Sequence, residues 1–264
     1  MHFNQSRPGI SIVIPARNEE KNLQYLLPLI PQDIDEIILV NGHSTDNTVA
    51  VAKSLRPDIR IIEQEGRGKG DAMRVGFAAC TQEIIVMLDA DGSADPAEIP
   101  AFVDALLKGS DFAKGSRFLR GGGSKDLTLL RSLGNLGLCG LVNLLFKERF
   151  TDLCYGYNVF WRRCLERVTL DCNGFDIEAQ LCLRMYKAGF KFVEVPSMEH
   201  TRLHGESNLH TFRDGWLVLK VILREWWNRH TSLPGELPAH ESEEMYNTVD
   251  TSLSTPDAVT SVEK

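Results

Sequence analysis

The run Glu83-Ile-Ile-Val-Met-Leu-Asp-Ala-Asp91 constrains this chain more than any other stretch. Five apolar residues, Ile84 to Leu88, lead straight into two carboxylates separated by one small residue, Ala90. A short uninterrupted apolar run reads as a strand buried on both faces, and such strands sit centrally in parallel sheets. Ligands of open α/β sheets bind beyond the carboxyl ends of the strands. Asp89 and Asp91 therefore fall where chemistry is expected. Two acids this close repel, and a hard divalent cation with oxygen ligands relieves the repulsion. The plainer alternative is an Asp91-Gly92 turn with both acids merely solvated.

The flanking sequence repeats the theme. Ile10 to Pro15, Asp35 to Val40, Ile59 to Glu63 and Asp111 to Phe118 read as further strands. Helical patterns lie between them: Asn18 capping a helix to about Ile30, Ser44 or Asp46 capping one through Leu55, Asp71 to Ala79, and Pro96 to Leu107. Strands alternating with helices at this spacing predict right-handed βαβ units and a mainly parallel sheet. The loops at 15–20, 41–46, 66–70 and 89–93 then share one rim. The second half differs in texture. Residues 121–124 read as flexible, 127–146 as a leucine-rich helical stretch broken by Gly134, Gly137 and Gly140, and 152–161 as a strand. A helix from Asp176 to Ala188, a strand from Phe190 to Val195, a polar loop from Arg202 to Asn208 and an amphipathic helix from Phe212 to Trp227 complete it. The expected organisation is one domain over 1–231, with a nucleotide-binding half at 8–120 and a substrate-specific half at 121–231.

Composition enters at two points. The net charge of −7 is concentrated in the tail, where residues 232–264 carry seven acids against one base; this leaves the remainder near −1. That tail, rich in Ser, Thr, Pro and Glu, reads as disordered. A body so nearly neutral gives no expectation of a nucleic-acid partner. The six cysteines are scattered without a C-x-x-C pair, so a reduced, cytoplasmic protein is expected rather than a disulfide frame or zinc site. No apolar run reaches the roughly 18 residues of a spanning helix, and the N-terminus lacks a signal-peptide core.

Gly66-Arg-Gly-Lys-Gly70 is neither a Walker loop nor G-x-G-x-x-G, but its glycines allow close backbone approach and its cations suit phosphate. A solvated turn would look the same. Arg117, Arg120, Lys125 and Arg131 form a second basic cluster, and His200, His204 and His210 lack metal-site spacing. The leucines of 127–146 cover more than one helix face. A core helix pair explains them, and so does a surface that meets a bilayer interface, as Trp216, Leu219, Ile222, Leu223, Trp226 and Trp227 with Lys220 and Arg224 also suggest.

Taken together, Val13-Ile-Pro-Ala-Arg-Asn-Glu19, Val40-Asn-Gly-His-Ser-Thr-Asp46, Gly68-Lys-Gly70, Leu88-Asp-Ala-Asp91, Lys114-Gly-Ser-Arg117 and Arg202-Leu-His-Gly-Glu-Ser207 resemble the family 2 glycosyltransferases. The chain looks closest to the dolichyl-phosphate mannose synthase and polyprenyl-phosphate glycosyltransferase branch. The resemblance spans about residues 10–228 and implies a single GT-A, Rossmann-like α/β domain with a mainly parallel sheet flanked by helices. It implies that Pro15, Ala16, Asn18, Glu19, Asn41 and Lys69 surround the nucleotide base and ribose. It also implies that Asp89 and Asp91, flanking Ala90, hold Mg²⁺ or Mn²⁺ against the donor's diphosphate, with Asp91 the direct ligand. Arg117 and Arg131 would hold the acceptor's phosphate and Arg202 the donor diphosphate.

The implied reaction is an inverting transfer of a hexose from GDP-mannose, or secondly UDP-glucose, to a polyprenyl phosphate. The expected location is the cytoplasm, with peripheral contact on the inner face of the membrane. A phosphate acceptor is already an anion and needs no strong base; a hydroxyl acceptor would need one, with Asp176 and Glu178 as candidates. Two departures bear on this. Asn41 stands where many relatives carry an acid, and Ser93 where some carry a glutamine. A small soluble acceptor on the same fold and a non-catalytic nucleotide-sugar-binding module are the rival readings. A nucleotidyltransferase would need a glycine-rich basic loop after the first strand, where Ala16 to Glu20 stands instead.

Overall fold

A computed structural model describes residues 7–205 and 209–228. Glu206 to Asn208 of the polar loop and the acidic tail at 232–264 lie outside the described residues. In chain order the elements are β1 (Ile10–Ala16), α1 (Glu20–Leu29), β2 (Glu36–Asn41), α2 (Thr48–Leu55), β3 (Arg60–Glu63), α3 (Lys69–Ala79), β4 (Ile84–Met87) and α4 (Ile99–Leu107). Then come β5 (Phe112–Ser116), β6 (Gly123–Ser124), α5 (Leu129–Phe146), β7 (Asn158–Trp161), α6 (Ile177–Lys187), β8 (Phe192–Pro196), β9 (Met198–Glu199) and α7 (Thr211–Trp227).

The main sheet has the order β3-β2-β1-β4-β7-β5-β8. All its pairings are parallel except those of β7, which runs antiparallel between β4 and β5. The expected mainly parallel α/β sheet is therefore what forms, and β4, the opening run of the sequence, lies at its centre. Ile84 to Met87 are all buried, as a run without alternation requires when both faces are covered. Alternate residues feed two cores. Val13, Ile38, Val40, Ile85 and Met87 pack with residues of α3, α5, α6 and α7. Ile12, Ile14, Leu39, Ile84 and Val86 pack with residues of α1 and α4.

Three readings change. Residues 152–161 form a strand only from Asn158; Asp152 to Tyr157 are drawn instead onto the rim, where Asp152 accepts hydrogen bonds from Arg117. The 127–146 stretch is one continuous 18-residue helix rather than a broken one. A glycine costs roughly 1 kcal/mol against alanine inside a helix, but Asn135, Cys139, Val142 and Phe146 bury the inner face of α5, and packing of that face holds the helix together. Gly123 and Ser124, read as flexible, pair in parallel with Met198 and Glu199. Helix α7 is fastened to α6 through the buried Glu225, which accepts from Arg184 and Lys187 at 2.8 Å each.

Candidate active site

The strand ends at Ala16, Asn41, Met87 and Ser116, with the residues entering β7, make one rim. The first two loops are stitched together. Asn18 does not cap α1; it adopts a left-handed backbone (φ 57°), and its side-chain oxygen accepts from the Thr45 amide at 2.8 Å. The Asn18 amide donates to Ser44 Oγ (3.0 Å) and the Glu19 amide to Thr48 Oγ1 (2.9 Å). Pro15 and Ala16 end β1 beneath this seam. Asn41 is buried, and its amide is shared with the protein: Nδ2 donates to Glu63 at 2.7 Å, and Oδ1 accepts from the Ser44 amide at 3.2 Å.

At the centre of the rim the paired acids meet two cations. Lys69, in the first turn of α3, places Nζ 2.6 Å from Asp89 Oδ1, 2.8 Å from Asp89 Oδ2 and 2.6 Å from Glu178 Oε1. Gly68 makes this approach possible. Its φ of 93° suits glycine, and a Cβ there would sit 2.1 Å from the Asn173 carbonyl. Burial alone would pull the Lys69 pKa down, but the carboxylates of Asp89 and Glu178 override it and hold the ammonium above the ordinary lysine value. Burial pushes Glu178 above the ordinary carboxylate value against the opposing pull of Lys69, with Asp89 adding to the rise. Arg202, after β9, places Nη2 2.9 Å from Glu19 Oε1 and 3.4 Å from Asp91 Oδ2. Glu19 is likewise raised, chiefly by burial, with Asn22 and Arg202 opposing. Asp91 Oδ1 accepts from the Ser93 amide (3.0 Å) and hydroxyl (2.7 Å).

A cavity of about 190 Å³ runs from Lys69, Asp89, Asp91 and Ser93 past Arg117 and Arg131 to Leu138 and Val218. Arg117 is buried on its wall and is not an isolated cation. Nε and Nη2 bind Asp152 at 2.7 and 3.0 Å, Nη1 contacts both oxygens of Glu199 at 3.1 Å, and the guanidinium lies 4.8 Å from the Tyr155 ring centroid. Burial opposes its charge, yet these two acids hold its pKa above the usual arginine value. Arg131, in the first turn of α5, reaches Thr211 Oγ1 and the Leu209 carbonyl at 3.4 Å, contacts at the weak end of the hydrogen-bond range. Sequence reasoning placed Arg117 and Arg131 together but passed over Asp152 and Glu199. Arg120 and Lys125 do not line this cavity. The three histidines stay apart: the His200 amide donates to the Ser93 carbonyl, His204 lies tilted beside Tyr25, and His210 precedes α7.

The acidic centre suits a hard cation. Glu19, Asp89, Asp91 and Glu178 supply four carboxylates, and Lys69 and Arg202 two positive charges, so two negative charges are left when all four acids are ionised. Among the described residues no group of three metal-ligating side chains is gathered. A cation on Asp89 and Asp91 would therefore complete its shell from another molecule's oxygens and water. Mg²⁺ is commonly held in that manner, by one or two carboxylates together with substrate phosphates.

Comparison with known proteins follows the same lines. The family model for Glycosyl transferase family 2 matches residues 11–169. The chain is 30% identical over 209 residues to a dolichol-phosphate mannosyltransferase of Pyrococcus furiosus, covering 76% of this chain and 59% of that one. It is 29% identical over 228 residues to the polyprenol monophosphomannose synthase of Mycolicibacterium smegmatis, covering 81% and 85%. Among solved structures, glucosyl-3-phosphoglycerate synthase from Mycobacterium tuberculosis, in complex with Mn²⁺, UDP and phosphoglyceric acid, superposes with a TM-score of 0.66 at 21% identity, covering 83% and 78%. With its GT-A architecture and the match across most of its strands, the chain belongs to glycosyl transferase family 2 and is a glycosyltransferase.

Proposed function

We propose that this enzyme moves a hexose from a nucleotide sugar to a polyprenyl or dolichyl phosphate, with inversion at the anomeric carbon and Mg²⁺ or Mn²⁺ held by Asp89 and Asp91. GDP-mannose is the first choice of donor and UDP-glucose the second. The observation that carries the reading is the single cavity joining the acidic centre to Arg131 and then to apolar side chains of α5 and α7. The polyprenyl-linked names of the two curated relatives support it.

The stitched loops at Pro15, Ala16, Asn18, Glu19 and Asn41 serve the base and ribose. Lys69, expected from sequence among the base and ribose contacts, instead lies against Asp89; we assign it with Arg202 to the diphosphate, where negative charge gathers as the nucleoside diphosphate departs. A bound divalent cation would add Lewis-acid stabilisation of that leaving group. Arg131 holds the acceptor phosphate, and Arg117, whose charge is more than balanced by Asp152 and Glu199, assists by fixing the cavity wall rather than as a free cation. The acceptor is already anionic, so position matters more than proton removal. Glu178 agrees with this: at 2% exposure and committed to Lys69, it is badly placed to serve as a base for a hydroxyl.

The far end of the cavity opens beside a broad apolar surface. Leu129, Leu133, Leu136 and Leu144 of α5 and Phe212, Trp216 and Trp227 of α7 are exposed. Contrary to the expectation that no apolar run reaches spanning length, helix α5 is long and apolar enough by length and composition to cross a membrane, yet its inner face packs into the core. Both facts support peripheral contact with a membrane, and the cytoplasmic face is the side to which we assign it. The acceptor assignment is tested by titrating a short polyprenyl phosphate, and separately 3-phosphoglycerate, while following tryptophan fluorescence. Saturable binding of the lipid phosphate, weakened about tenfold or more in Arg131→Ala (roughly 1.4 kcal/mol or more), is expected. Tight binding of phosphoglycerate alone would replace this reading with the small-acceptor one, which the phosphoglycerate-bound structural relative represents.

A further inference from the structure

We propose that Lys69, anchored by Glu178, is a resident counter-ion for Asp89 that makes divalent-cation binding depend on the donor's diphosphate. The inference rests on the metal-dependent reading above and adds an order of loading to it. Lys69 Nζ contacts both carboxylate oxygens of Asp89, at 2.6 and 2.8 Å, so it occupies the positions a cation would approach. The side chain cannot simply swing out to solvent. It is only 11% exposed, and the more deeply buried Glu178 grips it from the other side at 2.6 Å. Gly156 crosses close by: a Cβ on it would lie 2.6 Å from Asp89 Oδ2 and 2.9 Å from Lys69 Nζ, so backbone closes one side of the three side chains.

In the donor-free protein a divalent ion at Asp89 thus meets a fixed positive charge already on its ligand, and binds poorly. A diphosphate changes the balance. Its negative oxygens give Lys69 a second anionic partner and give the metal additional ligands, so metal and diphosphate bind better together than either does alone. Glu178 is then a positioning residue: it keeps Lys69 inside the site when Asp89 turns to the metal. Such mutual reinforcement is a coupling free energy and must be reciprocal.

The test measures Mn²⁺ affinity by electron paramagnetic resonance, with metal alone and with saturating GDP or UDP. In the wild-type protein, either diphosphate that binds should tighten Mn²⁺ by about tenfold or more, roughly 1.4 kcal/mol of coupling or above. Lys69→Met should tighten Mn²⁺ measured alone by about tenfold and shrink the diphosphate effect, whereas Lys69→Arg, which keeps the charge, should leave Mn²⁺ alone as weak as in the wild type. Should Lys69→Met fail to fold, the double variant Lys69→Met/Glu178→Gln removes one charge of each sign and is expected to give the same tightening. A folded Lys69→Met, or the double variant in its place, that binds Mn²⁺ alone no better than wild type while keeping the full diphosphate effect overturns this proposal only. No Mn²⁺ binding to wild type with either diphosphate overturns the metal-dependent reading and this proposal with it.

Discussion

Arg117 shows what one residue can and cannot disclose. Its charge and its place after a strand were legible, and the structure does set it on the cavity wall. Its partners were not, because Asp152 and Glu199 come from 35 and 82 residues further along the chain. No local pattern announces a pairing over that distance. Asp152 is fully buried and depends on the guanidinium for its charge balance. Asp152→Asn, which leaves Arg117 paired with Glu199, should therefore destabilise the fold by about 1–3 kcal/mol, the usual cost of weakening buried hydrogen bonds to a charged group. Thermal denaturation checks this, and an unchanged midpoint would contradict it. Gly68 is the opposite case, since the glycine-rich loop was plain in the sequence. Gly68→Ala combines a positive φ with a clash against the Asn173 carbonyl. It should displace Lys69 and weaken nucleotide-sugar binding by about tenfold or more, some 1.4 kcal/mol, as read by calorimetry; wild-type affinity would show that the loop tolerates a side chain.

Among the elements, β1, β2 and β4 were readable because each is a short apolar run with the same physical cause, burial on both faces, whereas β3 lies half-exposed at the sheet edge. Strand β7 was not bounded correctly, since a four-residue strand preceded by rim loop carries too little pattern to mark its own start. Helix α5 was legible in extent but not in continuity. Glycine propensity argued for breaks, and tertiary packing of its inner face overrode it. Its outer face is the element-scale prediction. Leu129 and Leu144 are each 76% exposed, and Phe212 and Trp227 of α7 each 81%. Leu129→Glu with Leu133→Glu should sharply reduce co-sedimentation with phospholipid vesicles while changing stability by less than about 0.5 kcal/mol, as surface substitutions usually do. Equal vesicle binding by the variant would remove this face from the membrane contact.

At the scale of the whole molecule, the fold and the rim loops could be read from sequence, whereas the charge network that tunes the site could not, because it is assembled across the sheet. The same cross-sheet pairing supports stability. Glu36 of β2 accepts from Ser11 Oγ of β1 (2.5 Å) and the Thr81 amide (2.9 Å), and pairs with Arg60 of β3. Burial raises its pKa, but these hydrogen bonds and the arginine outweigh burial and leave it lowered from 4.5. A carboxylate lowered on folding adds stability above its unfolded value, and that stability is lost as pH falls through the folded one. Glu36→Gln should accordingly lower stability near neutrality and flatten the loss between pH 4.5 and more acid conditions, as followed by denaturant melts across pH. Parallel acid profiles for wild type and variant would contradict it.

The central claim concerns the product. Purified protein is incubated with Mn²⁺, a short polyprenyl phosphate and either GDP-mannose or UDP-glucose carrying a labelled sugar, and the label is extracted into an organic phase. The account predicts a polyprenyl phosphohexose with one of the donors, lost on chelation of the metal and in Asp91→Ala. Label that stays in the aqueous phase with both donors, and moves onto a small phosphorylated acceptor instead, would contradict it.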